Sequence, residues 1–188
     1  MASASDEQFQ AVQQALERLE AAGIAYAVTG SWVVSSYGLL RNTHDLDLVV
    51  SLTEADVARI VAAFPWPRYY ADDVAIAEAV ARQSFFNILD VEASLKIDFW
   101  PLKTDDYSQE QFRRRRRGHM AERSVWLLTP EDIVLSKLLW FKMSESERQW
   151  RDIESVWQLK RDELDLDYLR RWAARLSVAD LLNRVTES

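Results

Sequence analysis

The sequence predicts an α/β fold followed by a helical C-terminal region. Short β-branched runs alternate with amphipathic stretches as far as residue 128, whereas the later apolar patterns have helical spacing. The chain of 188 residues contains only 4 Gly and 4 Pro, which favours regular structure with few long loops. Hydrophobic residues make up 48% of the chain and charged residues 28%, as is usual for a globular protein. We expect an α/β core over residues 1–128 and a helical region over residues 129–188 that packs on it.

Helices and strands are expected to alternate in the first half. Apolar residues recur every three to four positions over residues 7–22, which predicts a helix, and Gly23 is expected to end it. Thr53, followed by acids in the first turn, is expected to cap a helix that runs to residue 63. The other predicted elements of this half are strands over residues 24–28, 45–50, 85–89, 93–99 and 124–128, and helices over residues 32–39, 72–82 and 107–117, the last closed by Gly118.

The second half is predicted to be helical. The run Thr129-Pro130-Glu131-Asp132 combines a capping residue, a proline at the first helical position and acids in the first turn. A helix is therefore expected to continue over residues 133–143. After a polar break, apolar spacing predicts further helices over residues 148–160, 167–176 and 178–185.

Composition excludes several classes of site. The chain has no Cys, so disulfides, Cys-zinc sites and thiol nucleophiles are excluded. With 2 His, a His-rich metal site is excluded as well. The first ten residues are polar, unlike a signal peptide, and no apolar run approaches the roughly 18–20 residues that span a bilayer. We therefore expect a cytoplasmic protein with no membrane partner.

The net charge of −7 is unlike that of a protein that holds long nucleic acid by charge alone. A nucleic-acid partner would have to be small or to bind a local basic patch. The candidate patch is the run of five arginines over residues 113–117. We interpret this run as a solvated helix face paired with nearby acids, and contact with RNA or another phosphate-rich acceptor is the alternative.

Three carboxylates are candidates for chemistry. Asp45 and Asp47 lie on a predicted strand, where residues two apart point to the same side. Adjacent carboxylates repel each other and are costly to desolvate, and a divalent cation between them removes both costs. Asp98 lies on a later predicted strand among apolar neighbours and needs a partner as well. If the two strands are neighbours in one sheet, the three carboxylates converge into an oxygen-ligand site for Mg²⁺ or Mn²⁺.

A Gly-Ser pair precedes these carboxylates in the chain. Gly30 and Ser31 form a predicted turn that opens the short helix over residues 32–39. Backbone N–H groups in such a turn can hold a phosphate. A turn of this kind followed by a metal-binding pair of aspartates is what phosphoryl or nucleotidyl transfer needs.

The order of a Gly-Ser pair, a helix, an Asp-x-Asp on a strand and a third acid on a later strand resembles the nucleotidyltransferase superfamily typified by DNA polymerase beta. Gly30-Ser31-Trp32 and the run RNTHDLDL, from Arg41 to Leu48, look like the small bacterial branch. That branch includes antibiotic nucleotidyltransferases and the nucleotidyltransferase toxins of abortive-infection systems. The helical tail, with PEDI at residues 130–133 and SERQWRD at residues 146–152, is similar to this branch as well. The resemblance implies a mixed sheet flanked by helices and followed by a C-terminal helical bundle.

The resemblance also implies a reaction and a set of roles. The reaction is Mg²⁺-dependent transfer of a nucleoside monophosphate from a nucleoside triphosphate to an acceptor hydroxyl, with release of pyrophosphate. Asp45 and Asp47 would hold the metal ions, and Asp98 would complete the second metal site and help to deprotonate the acceptor. Gly30 and Ser31 would contact the nucleotide phosphates.

Three further residues are predicted to bind the nucleotide. Arg41 and Thr43 precede the Asp strand and are expected to border the site. Lys137 lies in a predicted helix among apolar neighbours; we interpret it mainly as a surface lysine that covers them with its stem. A contact with the triphosphate is the functional alternative for this lysine.

The acceptor stays open at this point. A small molecule such as an antibiotic, the 3′ end of a tRNA and a protein side chain are all compatible with the motifs. The alternative class is a non-catalytic binding module, or an antitoxin-like module of a toxin–antitoxin pair, that keeps the fold. Such a module is expected to have a small helical partner protein.

Overall fold

A computed structural model of the chain describes residues 4–36, 45–120 and 123–187. The helices are α1 (Ala4–Ala21), α2 (Gly30–Ser36), α3 (Val57–Ala63), α4 (Asp73–Ala81), α5 (Asp106–Arg113), α6 (Pro130–Ser144), α7 (Glu147–Lys160), α8 (Leu166–Arg175) and α9 (Ala179–Thr186). The strands are β1 (Tyr26–Thr29), β2 (Asp45–Val50), β3 (Tyr69–Tyr70), β4 (Phe86–Asp90), β5 (Leu95–Pro101), β6 (Arg116–Met120) and β7 (Arg123–Leu127). These strands form one mixed sheet in the order β3-β4-β5-β2-β1-β7-β6. The predicted α/β fold, with a mixed sheet followed by helices, is confirmed.

The two faces of the sheet carry different kinds of residue. In β2, Leu46 and Leu48 are fully buried in the core, and in β5 the ring of Phe99 packs edge-on against Phe64 from the end of α3, with centroids 5.9 Å apart. Because side chains alternate along a strand, the intervening polar residues lie on the opposite side. We call that side the carboxylate face and define it by Asp45, Asp47, Lys96 and Asp98.

The arginine run does not form the single helix that was predicted for residues 107–117. Helix α5 ends at Arg113, and Arg116 already belongs to β6, which pairs antiparallel with β7. Gly118 lies inside that strand, where a Cβ atom would approach a side-chain carbon of Leu127 to 2.6 Å, so it serves close strand packing and not a helix end. Hydrogen bonding to β7 therefore overrides the helical propensity of the arginines.

Two further differences concern short elements. Strand β3 was not predicted, because two residues are too few to give a periodic signal. The segment capped by Thr53 starts as a 3₁₀ turn over Glu54–Asp56 before it continues as α3. The other predicted elements of the described residues are present within a few residues of their expected ends. No helix among the described residues combines the length and apolarity that crossing a bilayer requires.

A buried carboxylate anchors the start of α6, where the helical half begins. Asp132 is fully buried, and its Oδ2 accepts a hydrogen bond from Thr129 Oγ1 at 2.7 Å. Its Oδ1 accepts one from the Tyr168 hydroxyl of α8 at 2.6 Å. The Arg114 guanidinium lies 3.7 Å from the same carboxylate and stacks on the Tyr168 ring. Burial raises the pKa of Asp132, and these donors oppose that rise. The cluster joins α5, α6 and α8.

We expect Tyr168→Phe to lower the free energy of unfolding by about 1–3 kcal/mol, because it leaves a buried carboxylate oxygen without its donor while the ring stays. The measurement is urea unfolding at neutral pH. The matched control is Tyr107→Phe, whose hydroxyl donates only a long 3.4 Å hydrogen bond to the main-chain oxygen of Asp132. Equal losses in the two variants would contradict an anchoring role for Asp132.

Candidate active site

The carboxylate face is assembled by one strand pairing. Strands β2 and β5 run parallel, with Asp45 opposite Lys96 and Asp47 opposite Asp98. Because the pairing is in register, the side chains of these four residues share one face of the sheet. The condition set by the sequence analysis, that the strands of Asp45–Val50 and Asp98 are neighbours in one sheet, is met. Lys96 lies two residues before Asp98, so the alternation along β5 places this lysine on the same face as the acids.

Asp47 is the most perturbed carboxyl of this group. Burial raises its pKa to about 6, and the negative charges of Asp98 and Asp45 add to the rise. Lys137 and a hydrogen bond from the Trp100 side chain act in the opposite direction. At neutral pH this carboxyl is charged at a cost, so a further cation next to it would relieve that cost.

Lys96 supplies part of the missing positive charge. Its Nζ atom lies 2.9 Å from Asp98 Oδ2 and 3.8 Å from Asp45 Oδ1. The hydrogen bond to Asp98 is the main reason that the pKa of Lys96 is raised. Asp98 is buried, burial raises its pKa, and its Oδ1 has no hydrogen-bond partner within the described residues.

The donor set suits a hard divalent cation, although no finished cluster is assembled. Within residues 4–36, 45–120 and 123–187, no three His, Cys, Asp or Glu side chains already surround a common metal position. Lys96 Nζ lies between two of these acids, 2.9 Å from Asp98 Oδ2 and 3.8 Å from Asp45 Oδ1. The carboxylate oxygens, one of them buried and unsatisfied, are nevertheless the ligand type that Mg²⁺ and Mn²⁺ prefer.

Gly30 is required by the position of Asp47. It follows β1 and opens α2, with a left-handed backbone (φ +67°), a conformation that disfavours other residues. A Cβ atom at this position would lie 2.1 Å from Asp47 Oδ2. A glycine here thus lets the backbone at the start of α2 contact a carboxylate of the sheet directly.

A cleft of about 730 Å³ opens beside these residues. Gly30, Ser31, Asp47 and Lys137 line it, whereas Asp45 and Asp98 adjoin it on the carboxylate face. Among the described residues, the charged side chains that line the cleft are Lys103, Lys137, Arg148, Asp47 and Asp152. Lys137 is paired with Asp152, so Lys103 and Arg148 are the cations of this lining that most readily meet the phosphates of a ligand.

Lys137 is not the surface lysine that the sequence suggested. It is only 6% exposed, and its Nζ donates to Asp152 Oδ2 at 2.7 Å and to Gln149 Oε1 at 3.3 Å, both on α7. Sequence reasoning missed Gln149 and Asp152 as parts of the site. Their spacing of three residues, continued by Ile153 on the buried side of α7, is the signal that could have found them.

The remaining sequence-based candidates are Arg41, Thr43 and the arginine run. Arg41 and Thr43 lie outside the described residues, so their predicted role stays a prediction. The arginine run is largely engaged within the protein: Arg113 pairs with Glu110, and Arg117 pairs with Glu20 and stacks on Trp126. Pairing with acids, which was the main interpretation of the run, therefore applies to part of it, although a single helix face does not.

We expect Gly30→Ala to destabilise the protein more than Gly23→Ala does. Both glycines have left-handed backbones, with φ values of +67° and +66°, so both substitutions carry a backbone cost of about 1 kcal/mol. A Cβ atom on Gly23 meets only an ordinary contact at 3.6 Å, whereas one on Gly30 displaces Asp47 and costs about 1–3 kcal/mol more. Urea unfolding of both variants measures the difference, and equal losses would contradict the close approach of Asp47 to Gly30.

We expect Asp47→Asn to stabilise the metal-free protein at pH 7.5 by about 1–3 kcal/mol and to have little effect near pH 4. The folded-state pKa of about 6 lies above the ordinary value of 3.8, so the folded state binds the proton more tightly. Stability is therefore lost as pH rises from about 4 to about 6. Urea unfolding with a chelator at both pH values tests this, with the exposed Asp162→Asn as control. A variant that is no more stable than wild type at pH 7.5 would contradict it.

Comparison with known proteins supports the fold. No family model matches the chain, and no curated protein matches it in sequence. The solved structure of the antibiotic nucleotidyltransferase ANT(2'')-Ia, an antibiotic-resistance factor, is similar over 96% of this chain and 98% of that chain, with a TM-score of 0.58 and 15% identity. An antigenic nucleotidyltransferase-like protein from Paracoccidioides brasiliensis is similar over 93% and 92%, with a TM-score of 0.50 and 18% identity. The expectation from the motifs is confirmed at this level: the chain has the fold of the nucleotidyltransferase superfamily.

Proposed function

We propose that this chain is a nucleotidyltransferase that moves a nucleoside monophosphate from a nucleoside triphosphate to an acceptor hydroxyl and releases pyrophosphate. The observation that carries the proposal is the parallel register of β2 and β5, in which Asp47 stands beside Asp98 on a face that adjoins Gly30 and the cleft. The fold that the chain shares with nucleotidyltransferases supports it. Lys103 and Arg148, which line the cleft, are suitable partners for a substrate rich in phosphate.

Asp45, Asp47 and Asp98 are the residues that would hold Mg²⁺ or Mn²⁺. The high pKa of Asp47 and the unsatisfied Oδ1 of Asp98 both support a cation at this position. When bound, such an ion would supply positive charge that stabilises the negative charge of the transition state at the α-phosphorus. Lys96 would then give up part of its contact with Asp98 and Asp45, so it acts as the resident counter-charge of the metal-free protein.

The donor phosphates would lie at the start of α2. The backbone N–H groups of Gly30 and Ser31 and the Ser31 hydroxyl are suitable donors to phosphate oxygens. The Lys137 ammonium lines the same cleft and is held in a fixed orientation by Asp152 and Gln149. A fixed cation loses less conformational entropy on binding the triphosphate than a mobile one. Arg41 and Thr43 are proposed to border this end of the site.

Asp98 is the proposed acceptor of the proton. Burial raises its pKa, which favours uptake of a proton, and β5 places its carboxylate beside Asp47. In the transfer step the hydroxyl oxygen forms a bond to the α-phosphorus, the bond from phosphorus to pyrophosphate breaks, and the hydroxyl proton passes to Asp98. Little covalent chemistry is required of the protein itself, since charge stabilisation dominates such reactions.

The test is calorimetric titration of each of the four nucleoside triphosphates, with and without Mg²⁺, into wild type and Asp45→Asn/Asp47→Asn. We expect binding by wild type that requires Mg²⁺ and is lost in the double variant, because two of the three metal-binding carboxylates are gone. The matched control is Asp162→Asn/Asp167→Asn, which removes the same charge from two residues that are 96% and 94% exposed.

Two outcomes would contradict the proposal. Binding that survives in Asp45→Asn/Asp47→Asn would remove the site from the carboxylate face. Absence of binding to every triphosphate in wild type would favour the alternative of a non-catalytic module that keeps the fold for a partner protein.

A further inference from the structure

Three aromatic side chains form a continuous surface, of which Trp100 and Trp140 line the cleft and Phe85 extends it outward from Trp100. We call Phe85, Trp100 and Trp140 the aromatic platform. The rings of Phe85 and Trp100 have centroids 4.9 Å apart, and those of Trp100 and Trp140 are 5.8 Å apart in an edge-on arrangement. Phe85 is 40% exposed and Trp140 is 45% exposed. Large apolar rings that stay in water next to a cleft cost free energy and are typical of ligand surfaces.

The aromatic platform lies on a defined side of the carboxylates. Trp100 follows Asp98 by two residues on β5 and shares its face of the sheet, and Phe85 stands just before β4, the next strand outward. Gly30 and Ser31 follow β1, which is on the other side of β2. The platform and the Gly-Ser turn therefore flank the carboxylates from opposite directions.

The inference rests on the proposed transfer reaction, because that reaction determines from which side the acceptor approaches. Attack at phosphorus is in line, so the acceptor oxygen and the leaving pyrophosphate lie on opposite sides of the α-phosphorus. With the phosphates at Gly30 and Ser31, the acceptor must approach from the side of β5 and β4. That side carries Asp98, the proposed proton acceptor, and the aromatic platform next to it.

The chemistry of this side selects the acceptor. The platform offers flat, uncharged faces, and the nearby cleft wall carries Lys103 and Arg148. Asp45, Asp47 and Asp98 on the carboxylate face would be engaged by the proposed cation, and Asp152 is already paired with Lys137. With these four carboxylates occupied, a polycationic small molecule would find few acidic partners there. A flat base attached to an anionic backbone fits both the rings and the cations.

We propose that the aromatic platform stacks the terminal base of a single-stranded nucleic acid, whose terminal hydroxyl is the acceptor. Bases stack on aromatic side chains largely irrespective of sequence, and loss of one such stack weakens binding by about tenfold. The phosphates next to the base would contact the cations of the cleft wall. This inference assigns the acceptor site to residues other than those that hold the donor nucleotide.

The experiment measures whether the affinity contributed by the terminal base depends on the rings of the aromatic platform. The probes are a fluorescein-labelled single-stranded RNA octamer that ends in adenosine and the same octamer with an abasic terminal ribose that keeps its hydroxyls. Their affinities are measured by fluorescence anisotropy for wild type, Phe85→Leu, Trp140→Leu and the control Trp66→Leu. Trp66 is 74% exposed and does not line the cleft. Trp100 stays unchanged because it contacts Asp47.

We expect wild type and Trp66→Leu to prefer the base-terminated RNA by about tenfold. Phe85→Leu and Trp140→Leu should bind the two RNAs almost equally. Mg²⁺-dependent binding of the nucleoside triphosphate, followed by calorimetry in the same proteins, should not change.

Three results would overturn the inference. The first two are that wild type shows no preference for the base-terminated RNA, or that both platform variants keep this preference. The third is that the platform variants also lose triphosphate affinity, which would make the platform a site for the donor base. If wild type binds no triphosphate but its base preference depends on the platform, the stacking site stands and the proposed transfer reaction fails. The two proposals can therefore fail separately.

Discussion

The parallel pairing of β2 with β5 is the constraint on which the candidate site depends. Its register makes Asp47 the partner of Asp98, and a slip by one residue would turn the carboxylates into the core. On the carboxylate face Asp47 and Asp98 repel each other in this register, and Lys96, 3.8 Å from Asp45 across the strand pair, opposes that repulsion. The register is fixed from the opposite face, where Leu46, Leu48 and Phe99 are fully buried and contribute about 1.5–3 kcal/mol each. The alternation that buries these side chains is the same alternation that gathers the acids, so core packing determines the geometry of the site.

On the carboxylate face, opposing effects set the pKa values of the acids. Burial and the neighbouring acids raise the pKa of Asp47, while the Trp100 side chain and Lys137 lower it. Lys96 likewise lowers the pKa of Asp98, through an ion pair of 2.9 Å. These compensating groups come from β5 and α6, not from β2 itself. The site thus depends on the sheet for its acids and on a separate helix for part of its positive charge, which ties the two halves of the chain together electrostatically.

The sequence predicts the site to the extent that local periodicity determines it. The period of two on β2 and β5 identifies the shared faces of the acids, and the cap at Thr129 identifies the start of α6. The burial of Lys137 is different, because it results from pairing with Asp152, a contact between two helices that no local pattern of α6 contains. The arginine run misled for a related reason: its residues favour a helix, but pairing along the edge of the sheet with β7 decides its structure. The local sequence pattern thus predicts which residues share a face of a strand and where a helix begins. Contacts between side chains of different elements can be identified only once the fold is known.

Helix α6 is the main element through which the helical half contributes side chains to the cleft. Lys137 and Trp140 are three residues apart and therefore lie on one side of the helix. Lys137 reaches the cleft near Gly30, and Trp140 covers Trp100 at the other end. The position of both is set where α6 begins, at the buried Asp132 that Thr129 and Tyr168 hold. Rotation of the helix by one residue, about 100°, would remove both side chains from the cleft. The hydrogen bonds from Thr129 and Tyr168 to Asp132 are hence part of the site's construction, since their directional geometry helps to fix the rotation of α6.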